Sequence, residues 1–374
     1  MKISFLSAFP PYRGGISKHS SLIYHHLSSR HKVQALNFSK LYPSIFFPGK
    51  TQYDKKSDYI GERVLNSMNF FSWKKTAKSI KAYNPDIFIF KFWHPFFAPC
   101  YTHLIRSIKK NNDCKIIMIC DNIFPHERFP LSKILIKRLI NKVDGFLVQS
   151  SIVENELKSL VGSPIYSKNF HPIYDNYPKG IDMLEARNIL DISESKVVLF
   201  FGLVRKYKGL DILIKSMDRV FEKDSDIKLI IAGECYGDKD KYLNLINNSK
   251  FKSNICWVEK FISDSEVPIF FSASDVVVLP YRTASQSGVI PLAYNYNKPV
   301  ITSNLVSLTE VIEEGRTGHT FDLESELEFK ILDFFNSYDS HPYEENIRKY
   351  KKNLSWDSFI NGIEDVYSRL NERN

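Results

Sequence analysis

Apolar positions along this chain follow two alternating patterns: short consecutive runs, and longer stretches in which they recur at every third or fourth residue. In the first half the runs are "KISFLSAF", "HKVQALNF", "DIFIFKF", "KIIMIC" and "GFLVQS". In the second they are "KVVLFFG", "IKLIIAG", "NICWVE", "DVVVLPY" and "PVITS". Between them lie amphipathic stretches such as "SKHSSLIYHHLSS", "YTHLIRSIKK" and "LDILIKSMDRVFEK". A near-continuous apolar run suits a strand buried on both faces, and the interleaved helices are what bury it. The pattern therefore predicts an α/β chain with doubly wound parallel sheets. It occurs twice, with the Pro- and Gly-containing stretch "FHPIYDNYPKG" (Phe170 to Gly180) between. Two Rossmann-like domains are expected, over 1–175 and 176–354, and 374 residues is more than one core usually supports. Two such domains facing each other would set the carboxyl ends of both sheets around a central cleft.

Composition adds little to this, but charge changes the picture. Residues 1–180 hold 27 Lys and Arg against 11 Asp and Glu, a net +16 within a chain of net +9, and the remainder is net −7. The first half is thus expected to meet something anionic: a membrane surface, an acidic glycan or a nucleic acid. The plain alternative is a solvated basic face. A nucleic acid is disfavoured, because no helix-turn-helix, zinc or RNA-binding signature accompanies the charge and the second half is acidic. The five cysteines are scattered, odd in number and without metal spacing, which points to a reducing cytoplasm. "MKISFLSAF" reads as a first strand and not a leader, since it runs into "PPYRGG" with no small-residue cleavage pattern.

The chemistry gathers where strands end. After the first strand, Gly14 and Gly15 permit close backbone approach just before a helix whose N-terminal amides favour an anion. A structural turn explains the pair equally well. In "FFGLVRKYKGLD", Arg205 and Lys208 sit between Gly202 and Gly209 at a sheet's carboxyl end. They make a diphosphate clamp, the arginine for planar contacts and the lysine as a point charge, or else a solvated basic loop. Gly233 ends the next strand, and Phe261 with Ile262 follows the one after; a nucleotide base would lodge there, though core packing is the commoner use of such residues. In "VVVLPYRTASQSGVIPLAYNY" a buried strand ends at Pro280 and a helix begins near Gly288, with Ser287 as N-cap and Pro291 in the first turn. The amides of Gly288, Val289 and Ile290 would then face an anion, and a bare cap would not need the whole run "TASQSG".

Taken in order, these motifs resemble the retaining glycosyltransferases of family 4, of GT-B architecture. "FPPYRGGISKHSSLIYHHL" resembles that family's Pro-Pro-x-x-Gly-Gly opening, "FGLVRKYKGLDILIKS" its phosphate loop, and "SGVIPLAYNYNKPVI" its signature helix. "LTEVIEEGRTGHTFD" and the terminal "LSWDSFINGIEDVY" continue the likeness, and in such proteins the last helix, here about 355–374, returns to the first domain. "CDNIFPHE" and "HPIYDNY" resemble a subgroup reading His-Asn-x-x-Pro-His-Glu and His-Pro-x-Tyr. The chain departs at the family's Glu-x7-Glu pair, where Ser285 and Ala293 stand, at Leu203 where an arginine is usual, and at Asp121 where many relatives have histidine.

The resemblance implies transfer of a sugar from a nucleoside diphosphate donor to an acceptor hydroxyl with retention of configuration. It needs no resident cofactor and, lacking an Asp-x-Asp sequence, no metal. It gives His126 and Glu127 the catalytic role, with His126 at the sugar or acceptor; it assigns Arg205, Lys208 and the amides after Ser287 to the diphosphate, and Ser285 and Gln286 to the donor sugar. The acceptor is expected to be a glycan or lipid-linked precursor in polysaccharide or lipopolysaccharide assembly, met at the cytoplasmic face of a membrane. "SKILIKRLINK" (Ser132 to Lys142) mixes aliphatics with cations in a way that suits either shallow membrane contact or a helix packed on the sheet with solvated lysines. The missing Glu pair leaves a second reading open, a catalytically silent sugar-nucleotide-binding subunit.

Overall fold

The computed structural model describes residues 1–42, 52–53, 59–110, 113–125 and 129–372. They form two compact units, Met1–Pro172 with Ser355–Asn374, and Ile173–Leu354.

Unit 1 opens with β1 (Lys2–Ser7), α1 (Gly15–Ser28), β2 (Lys32–Lys40), β3 (Glu62–Asn66) and α2 (Phe70–Tyr83). It continues with β4 (Ile87–Phe92), α3 (Ala98–Ile108), β5 (Lys115–Cys120), α4 (Ser132–Ile140), β6 (Gly145–Val148), α5 (Ser151–Leu160) and β7 (Ile165–Lys168). Its seven strands pair in the order β3-β2-β1-β4-β5-β6-β7, all parallel. The order reverses between β1 and β4, the switch point where such sheets open a crevice at their carboxyl ends. Phe88, Phe90, Phe92, Ile116 and Met118 project from the central strands into one apolar cluster with residues of α2 to α5.

In unit 2, α6 (Met183–Ile189) precedes β8 (Lys196–Phe201), α7 (Leu210–Lys223), β9 (Ile227–Ala232), α8 (Lys239–Asn248) and β10 (Ile255–Val258). Then come α9 (Val267–Ala273), β11 (Val276–Leu279), α10 (Val289–Asn295), β12 (Val300–Ser303), α11 (Val306–Thr309), β13 (Gly318–Phe321), α12 (Leu327–Ser337) and α13 (Tyr343–Tyr350). The order is β10-β9-β8-β11-β12-β13, again all parallel, with its switch point between β8 and β11. Helix α7 shows why the pattern works: Leu210, Leu213, Ile214, Met217, Val220 and Phe221 repeat at helical spacing, and all are buried.

The last helix, α14 (Trp356–Glu372), lies in unit 1, where it packs on β6, β7 and α1. Two glycines let it approach closely. A Cβ on Gly145 would stand 2.4 Å from Val366, and one on Gly362 only 2.1 Å from the Asn169 carboxamide. Glu364 of α14 pairs with His31 at 2.8 Å. No helix among the described residues is long and apolar enough to cross a membrane.

The fold has three strands that the apolar runs do not announce: β3, β7 and β13. All three are sheet edges.

Candidate functional site

The loops after β8 and β11 meet at the unit 2 switch point. From β8 the chain turns through Gly202, whose N–H donates to Ala232 at 2.9 Å, and Val204 then bonds to Glu234 and Tyr236 on the loop after β9. A single 3-10 turn, Lys206–Lys208, ends at Gly209 with φ 68°. That backbone favours glycine, and space demands it, since a Cβ there would lie 1.9 Å from the Pro280 carbonyl oxygen. The two loops are thus pressed together, with Arg282 N–H donating to the Tyr207 carbonyl at 2.7 Å. Gly209→Ala is expected to cost at least about 2 kcal/mol in urea unfolding, through left-handed strain plus a backbone clash.

The lysine of this turn is the central feature. Lys208 is only 9% exposed. Its ammonium lies 3.1 Å from where a Cβ on Gly202 would be, and 5.6 Å from the Tyr281 ring centroid. Burial, and then the charge of Arg205, push it down to about 8. Among the described residues no carboxylate pairs with it, whereas the neighbouring cations are spoken for. Arg282 grips Asp211 with both arms, at 2.8 and 3.1 Å, and Lys241 adds a third bond at 2.9 Å. Burial would raise Asp211, but those donors outweigh it and hold the carboxyl at about 2. A buried cation beside bare glycine backbone, at the edge where doubly wound sheets take ligands, is built to receive an anion.

In the loop after β11, Ser285 is 4% exposed and the Gln286 side-chain oxygen is buried with no hydrogen-bond partner among the described residues. An orphaned buried acceptor of this kind can take a hydrogen-bond donor from a ligand. The N-cap reading needs correcting. The residue capping α10 is Gly288, and Ser287 Oγ accepts from Val289 N–H at 3.2 Å, so that amide is already engaged. Helix α10 is only seven residues long, so its amides make a weaker anion site than the buried Lys208 ammonium would. Gly288 is small for another reason: a Cβ would sit 2.8 Å from the Tyr174 hydroxyl, which packs beneath the turn.

The remaining sequence candidates are more dispersed. Gly233 is tied up structurally, its N–H on Val258 at 3.1 Å and its carbonyl on the Trp257 indole at 3.2 Å. A Cβ there would strike the Gly202 oxygen at 2.0 Å, so the residue locks two loops together. Ile262 is buried at 7% exposed and Phe261 half-buried, past the edge strand β10. Gly14 and Gly15 belong to unit 1, where Gly14 has φ 100° and α1 begins at Gly15. His126 and Glu127 lie outside the described residues.

Asp121, which stands in place of a histidine, is buried and committed. It pairs with Lys91 at 2.9 Å and accepts from Gln149 at 2.8 Å. Lys91 in turn donates to His19 Nδ1 at 2.8 Å. Sequence reasoning missed this network, and it also missed Tyr281, Asp211 and Arg282. A lysine inside the apolar run "DIFIFKF" was the one visible sign of it.

Residues 195–336 match the family model for glycosyl transferases group 1. Among curated proteins, spore coat protein SA of Bacillus subtilis (strain 168) is 27% identical over 229 residues, 56% of this chain and 58% of that protein. The GDP-mannose:glycolipid 4-beta-D-mannosyltransferase of Xanthomonas campestris pv. campestris (strain ATCC 33913 / DSM 3586 / NCPPB 528 / LMG 568 / P 25) is 30% identical over 138 residues, 36% of this chain and 38% of that protein. The chain spans about half the length of the curated relatives it matches. Anabaena Alr3699/HepE, solved with UDP and glucose, superposes with a TM-score of 0.74 at 15% identity, over 100% of this chain and 99% of that one. At that identity the likeness shows the fold, which is GT-B. The segment holding Lys208 and the loop to Gly288 therefore matches the glycosyl transferases group 1 family, within a chain of GT-B fold.

Proposed function

We propose that this protein is a retaining glycosyltransferase using a nucleoside diphosphate sugar, with unit 2 holding the donor. The observation that carries the reading is Lys208: a buried ammonium with no carboxylate partner among the described residues, at the switch point of a group 1 domain. In the reaction the bond from the anomeric carbon to the diphosphate oxygen breaks. The acceptor oxygen bonds to the same face of that carbon, and its proton passes to the departing diphosphate. Lys208 and Arg205 stabilise the charge that grows on that leaving group. Gln286 and Ser285 take sugar hydroxyls, and His126 and Glu127 keep the catalytic role the resemblance implies, His126 at the sugar or acceptor. Two side-chain cations do the neutralising, so turnover is expected to survive EDTA. The acceptor is a glycan or a lipid-linked precursor of a surface polysaccharide, in keeping with the glycolipid acceptor named for the Xanthomonas relative, and the enzyme works from the cytoplasm at a membrane surface.

A thermal-shift screen of UDP, GDP, ADP and CMP with their sugar conjugates tests this. One nucleotide should raise the melting temperature of the wild type and do much less for Arg205→Ala. Stabilisation by none of them would overturn the reading. The pH dependence of that binding follows from Lys208. Phosphate favours the charged amine, so affinity is full below pH 8 and weakens above it, by at most tenfold per pH unit, as the free protein's lysine loses its proton. Calorimetric titrations from pH 7 to 9.5 would show the fall, and Lys208→Arg would flatten it. A flat wild-type profile would take Lys208 off the phosphates.

A further inference from the structure

Helices α2, α3 and α4 lie in a row on one face of the unit 1 sheet, α3 packed between its two neighbours. Helix α2 carries Lys74, Lys75, Lys78 and Lys81, and α4 carries Lys133, Lys137 and Arg138. With Arg106 of α3, all of these are exposed, and the three helices contain no Asp or Glu at all. Among the described residues none of the eight joins an ion pair; Lys74 instead sits 4.8 Å over the Phe70 ring. The bias is local. On the next helix along the chain, α5, Glu154 pairs with Lys158 and Lys168, and α14 on the opposite face mixes both signs. Adjacent like charges repel, so this row costs stability unless something anionic covers it.

The same face exposes large apolar side chains. Met68 (59%) and Phe71 (79%) stand at the start of α2, and Leu131 (68%) and Ile134 (50%) at the start of α4. Both helices begin after the carboxyl end of a parallel strand, so the apolar residues share one edge of the unit and the cations extend behind them.

We propose that this face docks on an anionic lipid surface. Phe71, Met68, Leu131 and Ile134 enter the headgroup–acyl boundary, and the lysines lie against lipid phosphates. The chemistry selects lipid over the other polyanions and over protein. Single-stranded nucleic acid wants aromatic platforms for its bases, and three of the five exposed apolar residues here, Phe70 included, are not aromatic. Protein interfaces deplete lysine and favour arginine, whereas this row is mostly lysine. The proposal deepens the membrane part of the function proposed above and names its surface. Donor binding in unit 2 does not depend on it, so the two fail separately.

Flotation of the full chain with vesicles is the test, comparing phosphatidylcholine alone with phosphatidylcholine containing phosphatidylglycerol. The wild type should float only with the anionic vesicles and be released by salt. Lys75→Glu with Lys137→Glu should lower partitioning at least about tenfold, and Phe71→Ser with Ile134→Ser should lower it at constant charge. All four positions are exposed, so melting curves and any nucleotide-induced shift should stay at wild-type values. Three results would overturn the proposal: a wild type that never floats, floating indifferent to both pairs, or duplex DNA binding of equal strength that ignores Phe71 and Ile134. The last of these would make the face a nucleic-acid surface.

Discussion

Lys208→Met is expected to give a protein that is more stable without ligand and nearly unable to hold a nucleotide diphosphate. The two effects have one cause. Lys208 falls from 10.5 in the open chain to about 8 in the fold, chiefly through burial. At about 1.4 kcal/mol per unit, keeping this ammonium charged inside the protein costs roughly 3 kcal/mol near neutral pH. The sign follows from proton counts. Between pH 8 and 10.5 the unfolded chain holds more protons at this site, so the wild type gains stability as pH rises through that window. Methionine keeps the apolar stem and removes the charge. It forfeits the cation–π contact with Tyr281, worth about 0.5–2 kcal/mol, so the net gain in urea unfolding is about 1–2 kcal/mol. Nucleotide affinity should move the other way, by roughly 30- to 100-fold, because a desolvated charge-assisted contact to phosphate is lost. A structural lysine would show the reverse pair, lower stability with binding intact, and that outcome would remove Lys208 from the site. A cation that costs stability and has no carboxylate partner among the described residues is what the proposed donor site would retain for its ligand.

That lysine was legible in the sequence as a member of a basic loop, but its burial was not. Arg205, Lys206 and Lys208 look alike along the chain. The distinction arises because Gly209 seats the turn on Pro280, a contact between loops 71 residues apart in sequence, which no local pattern encodes. The same limit explains the strands. Nine of the ten apolar runs are interior strands and the tenth, β10, is an edge that keeps its apolar run, whereas β3, β7 and β13 are edges with polar residues. "ERVLN", "IYSK" and "GHTF" carry polar residues because one side meets solvent or a loop, so periodicity alone passes over them. Ser287 shows a third limit. It has the right residue type for a cap, but the turn places its hydroxyl on Val289 from one residue further out. In unit 1 the Lys91 signal was present, yet its partners Asp121, Gln149 and His19 come from three other segments.

Those buried groups make unit 1 the acid-labile half. His19 and His171 are 1% and 8% exposed, and their rings stack at 4.0 Å. Lys91 donates to His19 Nδ1, so the ring is neutral with its proton on Nε2, and that nitrogen is buried without a hydrogen-bond partner. Protonating this ring would set a second cation against the Lys91 ammonium and beside His171. Burial, then His171, then Lys91 hold His19 well below its usual range, and burial holds His171 down at about 3. Asp121 supplies the balancing carboxylate, but Lys91 and Gln149 already occupy it. Below about pH 6.5 both histidines are therefore charged when unfolded but neutral when folded, His171 down to about pH 3. There the unfolded chain binds more protons, and stability falls as pH falls, by about 1.4 kcal/mol per pH unit for each ring. Between pH 6.5 and 5 the loss should be roughly 3–4 kcal/mol, enough to unfold a marginal domain. The Trp356 and Phe359 rings of α14 lie 5.7 and 5.5 Å from His19, so the terminal helix should loosen first. Hydrogen exchange at pH 5 should then rise in Trp356–Glu372 and β4 before it rises in β8 and β11. His171→Phe should halve the pH slope while keeping the ring stack. A stability curve flat from pH 6.5 to 5 would mean that the pair is already solvated or charged, and that the Asp121–Lys91–His19 network is not closed in solution.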